Sequence, residues 1–406
     1  MKALKPANPR IGFVVQRCGV EVNGGAESHC LQVAQRMSRH WNTEVLTTCA
    51  LDYMTWENYY PEGTEEAGST VIRRFSVDAP RDVAAFNRLS EELHARQKGA
   101  TLAEQETWMR AQGPMSRELL DYLRMQEGSY DAFVFFGYLY ATNYFGLPLV
   151  KDKACLAPLA HDEWTIYFSM WDRFFALPKT LIFNSQAERQ FLRGRFPNTS
   201  LKGPVIGVGI EPPKTIEPDR FRTRYGITDP FLLYVGRIDE SKGCATMFDY
   251  FIRWKSETGS PHKLVLLGSE VMPVPFHDDI IHLGFVGDED KWEAMSACDW
   301  LINPSPHESL SMALLETWSV GRPALINGGC DVLTSHCRQS NGGLWYNNFH
   351  EWSAALSIVD EETKRVLGRQ GQTYVRQYYS WERVERDYLA LLDGEASASD
   401  AASRYQ

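Results

Sequence analysis

Residues 231–257, FLLYVGRIDESKGCATMFDYFIRWKSE, are the stretch on which the fold turns. Phe231 to Val235 is a short apolar run, the length of a strand buried on both faces. It ends at Gly236, passes through a charged loop to Gly243, and gives way to a helix over about Ala245 to Glu257. The same unit then repeats. Strands are predicted at Lys263 to Leu267, Ile280 to Leu283, Trp300 to Asn303 and Pro323 to Asn327, the first two ending at Gly268 and Gly284 and the last in Gly328-Gly329. Helices are predicted from about Asp288 to Ala297 and from Leu310 to Val320. Strands alternating with helices predict a doubly wound α/β domain.

The front of the chain has the same grammar. IGFVVQ (11–16) reads as a buried strand, followed by a loop with Gly19, Gly24 and Gly25. A helix follows from about Ala26 to Arg39, with Cys30, Val33, Ala34 and Met37 at helical spacing. TEVLTTC (43–49) and TVIRRFSV (70–77) are two more strands, and residues 81–126 read mostly as helix. Further strands are expected at Asp131 to Phe136, Ala154 to Ala160 and Thr180 to Phe183, and Asn184-Ser185 can cap a helix from Gln186. Between the halves, 203–218 concentrates Gly and Pro as a hinge would. The predicted division is 1–205, 206–379, a C-terminal helix over 380–393 packing back on the first domain, and a frayed tail over 394–406. Two open α/β domains facing across a cleft bind ligands beyond the C-terminal ends of their strands.

Composition narrows the function. At 406 residues, 44% hydrophobic and 23% charged, the chain can bury two cores. A formal charge of −10 argues against a nucleic-acid binder. No stretch of 18 apolar residues predicts a transmembrane segment, and the start, MKALKPANPR, lacks an apolar leader core. None of the eight cysteines has C-x-x-C spacing, so free thiols in the cytoplasm are expected.

Four constellations could carry chemistry. Arg237 and Lys242 share one short loop after a strand and suit a diphosphate, although a surface loop with internal ion pairs explains them equally well. Next, Asn303 to Ser311 is a Pro-rich turn delivering Glu308 just before a helix, where the amides of about Ser309 to Met312 could meet an anion. Glu316 stands eight residues on, about 12 Å along a helix. That is too far for one acid–base dyad, and it suits two hydroxyl-rich ends of one ligand. Ordinary helix-start and surface glutamates are the plainer account of the same pair. The third is Gly24-Gly25, where backbone could approach a phosphate or where the chain merely turns. The fourth is His161-Asp162 at a strand end, either a substrate contact or a structural histidine. Asp288-Glu289-Asp290 is read as helix-start acids and not as a metal site.

Together these motifs resemble the retaining family 4 glycosyltransferases of GT-B fold, from IGFVVQ to the closing YSWERVERDYLALL. The resemblance is most specific in Gly-Arg, four residues, Lys-Gly, followed by Glu, seven residues, Glu. It implies that Arg237 and Lys242 hold a donor diphosphate, that Glu308 contacts the transferred sugar, and that Glu316 holds the ribose. Backbone from Ser309 and Leu310 to Ser311 and Met312 would meet sugar and phosphate. Gly24, Gly25 and Gly236 would line the donor site, His161 would lie near the sugar, and backbone at Phe285-Val286 would read the base. Two departures stand out. Glu308-Ser309-Leu310-Ser311 replaces the frequent Glu-Gly-Phe-Gly and narrows the sugar pocket, and Ser269-Glu270 replaces a second glycine after Gly268.

The activity so implied is transfer of a hexose from a UDP- or GDP-sugar to a glycan, lipid-linked or small-molecule acceptor, without a metal or other cofactor. A nucleotide-sugar epimerase or hydrolase, or a silent nucleotide-sugar-binding scaffold, would keep the same fold. The arginines of 81–126 with Lys98 suggest an acceptor face or peripheral contact at the inner face of a membrane. The interleaved Glu91, Glu92, Glu104 and Glu106 favour a solvated helical face instead.

Overall fold

The computed structural model describes residues 8–22, 24–96 and 99–392; the 394–406 tail, Asn23 and Lys98 lie outside the described residues. The chain forms two compact units. One runs through Val208 and takes in the residues from Glu385 onward; the other is Gly209–Val384.

The first unit is built on seven strands: β1 (Arg10–Arg17), β2 (Asn42–Thr48), β3 (Gly63–Ala67), β4 (Thr70–Phe75), β5 (Ala132–Phe136), β6 (Ala154–Ala157) and β7 (Thr180–Leu181). Their order is β3-β4-β2-β1-β5-β6-β7. All pairs are parallel except β3 with β4, which meet antiparallel. The sequence reading misses β3 because GTEEA is polar and exposed, the composition of an edge strand protected against pairing with other chains. Gly68, at φ +64, makes the turn into β4. β6 ends at Ala157 and not at Ala160, since Pro158 has no amide to donate and Leu159 turns to φ +56.

Residues 81–126 form three helices, each started by its own side-chain cap. Asp82 accepts from the Ala85 amide, Thr101 and Glu104 make a reciprocal capping box, and Ser116 accepts from the Leu119 amide. Four of the arginines in this segment have partners inside the unit. Arg81 donates to the Gln112 carbonyl, Arg96 pairs with Glu104 at 3.0 Å, Arg117 with Asp78 at 3.0 Å, and Arg110 lies over the Phe145 ring. Ser185 caps the helix Gln186–Arg195, as predicted. The core around Phe133, Phe135, Trp108 and Trp171 is closed to water, and each such aromatic contributes roughly 1.5–3 kcal/mol by its burial.

In the second unit, β8 (Phe231–Val235), β9 (Lys263–Leu267), β10 (Ile280–His282), β11 (Trp300–Asn303), β12 (Ala324–Asn327) and β13 (Gly343–Tyr346) form a wholly parallel sheet. Its order is β10-β9-β8-β11-β12-β13. The observed bounds agree with the predicted ones to within a residue or two. β13 and the helices Asp331–Ser340, Phe349–Ile358 and Glu361–Tyr378 were not anticipated. The helix expected from Leu310 begins at Met312, for a reason given below.

The last helix, Trp381–Leu392, buries Val384 and Tyr388. Within the first unit Glu385 pairs with Arg36 and takes His40 Nε2 at 3.1 Å. All eight cysteines are buried free thiols. No helix among the described residues is long and apolar enough to cross a membrane.

Candidate active site

β8 and β11 are neighbours, so the loops leaving their C-terminal ends emerge side by side. After β8 the chain turns at Gly236, with φ +152, and the Tyr234 hydroxyl donates to the Arg237 carbonyl at 2.6 Å. Asp239 organises the rest of the loop. Its carboxylate accepts from the amide and hydroxyl of Ser241, at 2.8 and 2.7 Å, and lies 3.0 Å from Arg237 Nε. Partial burial works against that charge, but the Ser241 donors and the guanidinium hold the Asp239 carboxyl below its usual range. Gly243 closes the loop at φ +75, and a Cβ there would run into the Pro304 carbonyl oxygen. The two loops therefore touch through backbone.

The loop after β11 is bracketed by one side chain. Asn303 Oδ1 accepts from the Ser305 amide at 3.0 Å, and Asn303 Nδ2 donates to Ser311 Oγ at 2.9 Å. Ser305 Oγ donates to the His307 carbonyl at 2.8 Å, and Asn327 Nδ2 to the Pro304 carbonyl at 2.9 Å. Captured in this way, Ser311 stands at φ +69, in the left-handed region that costs a side-chain-bearing residue about 1–2 kcal/mol. That turn is why the helix starts at Met312. Ser309 and Leu310 therefore lie in the loop, and Leu310 is buried.

The two loops converge on one ion pair. Lys242 Nζ donates to Glu308 Oε1 at 2.9 Å, with the side chains 33% and 18% exposed. Arg237 sits on the same loop as Lys242. A surface loop whose cations pair only locally would not join two strand ends in this way.

Glu316, on the helix Met312–Ser319, is not a surface carboxylate: its side chain is only 9% exposed. Lys291 Nζ, from the helix Asp288–Ala297, donates to it at 2.9 Å and lies 3.4 Å from Asp288. Burial pushes the Glu316 carboxyl up and the ammonium pulls it back down. The sequence reading missed Lys291, although a lysine one turn inside an acidic helix start was its available signal. The other two acids of the triplet are engaged elsewhere: Glu289 pairs with Arg220, and Asp290 with Arg224 and the Tyr225 hydroxyl.

Beyond β9 and β10, Gly268 donates its amide to the Gly284 carbonyl at 2.8 Å, and a Cβ on Gly268 would strike the Gly236 carbonyl. His282 Nε2 sits 2.9 Å from the Gly268 carbonyl, with Glu270 3.5 Å from its other nitrogen. Phe285 is 67% exposed and Val286 half-buried.

In the first unit, Gly24 is extended and Gly25 opens the helix Gly25–Met37. A Cβ on Gly24 would overlap the Glu27 carboxylate, whereas Gly25 has open space around it. Glu27, buried, accepts from Gln16 Nε2 at 2.9 Å and Arg17 Nε at 2.6 Å. These three residues form a polar network that sequence reasoning did not single out. His161 is half-buried with Nε2 4.0 Å from Glu163 Oε1, which accepts from the Tyr138 hydroxyl at 2.6 Å.

Residues 229–357, within the second unit, match the family described as Glycosyl transferases group 1. Mannosylfructose-phosphate synthase of Agrobacterium fabrum is 23% identical over 195 residues, covering 43% of this chain and 42% of that protein. The match thus spans less than half of that relative. Among solved structures, the sucrose-phosphate synthase of Thermosynechococcus elongatus superposes with a TM-score of 0.69 at 15% identity, over 96% of this chain and 99% of that one. Anabaena HepE, solved with UDP and glucose, gives 0.67 at 12% identity over 95% and 100%. At such identities the likeness is one of fold: two Rossmann-like α/β units of the GT-B type.

Proposed function

We propose that the chain is a metal-independent, retaining glycosyltransferase that moves a hexose from a UDP- or GDP-sugar to a glycan, lipid-linked or small-molecule acceptor. The observation that carries this reading is the Lys242–Glu308 contact at 2.9 Å, made between loops from adjacent strands. Arg237 and Lys242 would neutralise the departing diphosphate, the service a divalent cation performs in other enzymes. Glu308 would hold hydroxyls of the sugar, Glu316 those of the ribose, with Gly24, Gly25, Gly236, Phe285, Val286 and backbone from Ser309 to Met312 around the donor. In the transfer the bond from the anomeric carbon to the phosphate oxygen breaks and the bond to the acceptor oxygen forms on the same face. The acceptor proton passes to the departing phosphate oxygen. His161 would lie by the sugar.

The HepE complex with UDP and glucose supports a uridine nucleotide as the first donor to try. The name mannosylfructose-phosphate synthase supports trying a sugar phosphate as acceptor. The setting is cytoplasmic, in keeping with free thiols, and peripheral membrane contact belongs to the 81–126 helices if anywhere. A thermal-shift panel of UDP, GDP, ADP and their sugars tests the reading. A bound donor at 100 times its dissociation constant raises stability by about 2.7 kcal/mol, and no response from any of them would remove the proposal.

A further inference from the structure

The helix Gln186–Arg195 holds a glutamate where nothing in the chemistry above requires one. Glu188 is 1% exposed, and its carboxylate reaches backbone ahead of its own helix. Oε2 accepts from the Asn184 amide at 2.6 Å, ahead of the helix, and Oε1 accepts from the Ala160 amide at 2.7 Å. The Leu159 amide is a further donor; burial pushes the carboxyl up to about 8, and the three backbone amides oppose that rise by favouring the charged form. One buried carboxylate thus ties the start of this helix to the loop that leaves β6.

That loop needs an anchor. Leu159 sits at φ +56, a conformation an L-residue with a side chain adopts at a cost, and Pro158 before it has no amide to give. Backbone amides buried here without an acceptor would lose their hydration and gain nothing in return. The residue immediately after Ala160 is His161. We infer that Glu188 is a positioning residue: by holding the amides of Leu159 and Ala160 it sets where the His161 imidazole stands. This rests on the reading of His161 as a sugar-side contact in the proposed transferase.

A carboxylate can accept at both ends; a carboxamide cannot. Glu188→Gln has the same shape, but whichever way its amide lies, one NH2 faces a backbone N–H. The substitution therefore releases either the Asn184 side or the His161 loop while leaving the packing intact.

The test is a transfer assay with UDP-glucose and GDP-mannose on wild type, Glu188→Gln, His161→Ala and the double variant, with Lys242→Ala run alongside. Displacing a group beside the reacting centre costs about 10- to 100-fold in kcat. We expect that loss in Glu188→Gln with the donor KM within about twofold of wild type, because the substitution leaves the residues proposed for the donor diphosphate untouched. The double variant should be no slower than His161→Ala by itself, a coupling that general loss of stability would not produce. If Glu188→Gln keeps its kcat while Lys242→Ala loses turnover, the positioning role is wrong and the transferase reading stands. If wild type itself transfers neither sugar, the transferase reading fails; if Lys242→Ala turns over normally, only the role given to Lys242 does. Multiplicative losses in the double variant overturn the role too. Should Glu188→Gln not fold, Glu188→Asp, which keeps the charge and withdraws it by one methylene, goes through the same comparison.

Discussion

Lys242 Nζ lies 2.9 Å from Glu308 Oε1, so the cation proposed for the diphosphate and the carboxylate proposed for the sugar hold each other in the ligand-free protein. Each side chain sits on a loop fixed from behind, one by Asp239 and the other by Asn303. On that proposal, a donor arriving between them would find both groups already oriented, and the lysine would trade part of one anionic partner for another.

Lys242→Ala and Glu308→Gln should each lower turnover by roughly 10²–10³, the usual cost of one electrostatic contact to the transition state. Both variants should keep the wild-type melting temperature to within a few degrees, because the pair is partly exposed and such pairs contribute about 0–1 kcal/mol. Steady-state kinetics on the folded variants decides it. Turnover within about threefold of wild type would return these residues to an ordinary ion pair.

Chelation gives a second check. With fixed cations serving the diphosphate, excess EDTA should leave the initial rate unchanged, and added magnesium should not raise it. A rate that collapses on chelation and recovers with a divalent ion contradicts metal independence.

Lys291→Ala leaves the Glu316 carboxyl buried without its ammonium. Removing one partner of a buried pair costs about 3–5 kcal/mol, and the part-exposed lysine brings the expectation down to about 2. Burial already raises the Glu316 carboxyl, and without Lys291 it rises further. An acid raised in the folded state loses stability as pH climbs from its unfolded value through its folded one. The variant should therefore be hurt more at pH 8 than at pH 5, as urea melts at the two pH values can show. Equal losses at both would mean the carboxyl finds another donor.

Two buried histidines set the acid limit. His29, 3.1 Å from the Gly207 carbonyl, and His336, 3.0 Å from the Tyr374 hydroxyl, are both pushed down to about 4 by burial. A base depressed in the folded state gives stability that is present above its unfolded value near 6.5 and is lost as pH falls toward 4. Each pKa unit is worth about 1.4 kcal/mol. Calorimetry from pH 7 to pH 4.5 should show a steep fall, shallower in His29→Asn. A flat profile refutes the assignment.

The four arginines of 81–126 named above with partners in their own unit predict no membrane attachment through that segment. Sedimentation with liposomes, with and without anionic lipid, should leave the protein in the supernatant; co-sedimentation with anionic vesicles alone would reinstate a basic docking face.

Much of the architecture was legible in the chain. Buried parallel strands are continuous apolar runs, and FLLYV, KLVLL and DAFVFF declare themselves without any tertiary knowledge. The polar edge strand GTEEA does not, because its stability comes from β4 beside it. At the site, Lys242 and Glu308 could be named from spacing, but their meeting across two loops could not be read from it. The helix start at Met312 depends on Asn303 reaching Ser311 eight residues away, and the burial of Glu316 depends on Lys291 from another helix. Glu27 and Glu188 look like ordinary first-turn helix acids in sequence. Only the fold reveals that one is clasped by Arg17 and that the other holds a distant loop.

Residues 385–392 belong to the first unit, held there through Glu385 by Arg36 and His40, with Tyr388 fully enclosed. As the chain leaves the ribosome, the front half cannot finish assembling until all of Gly209–Val384 has been synthesised. Domains usually complete in the order in which they are translated. Here the earlier one stays open along the face of helix Gly25–Met37 while the later one closes, so a nascent chain stalled anywhere before residue 385 presents an unfinished front half to chaperones and proteases.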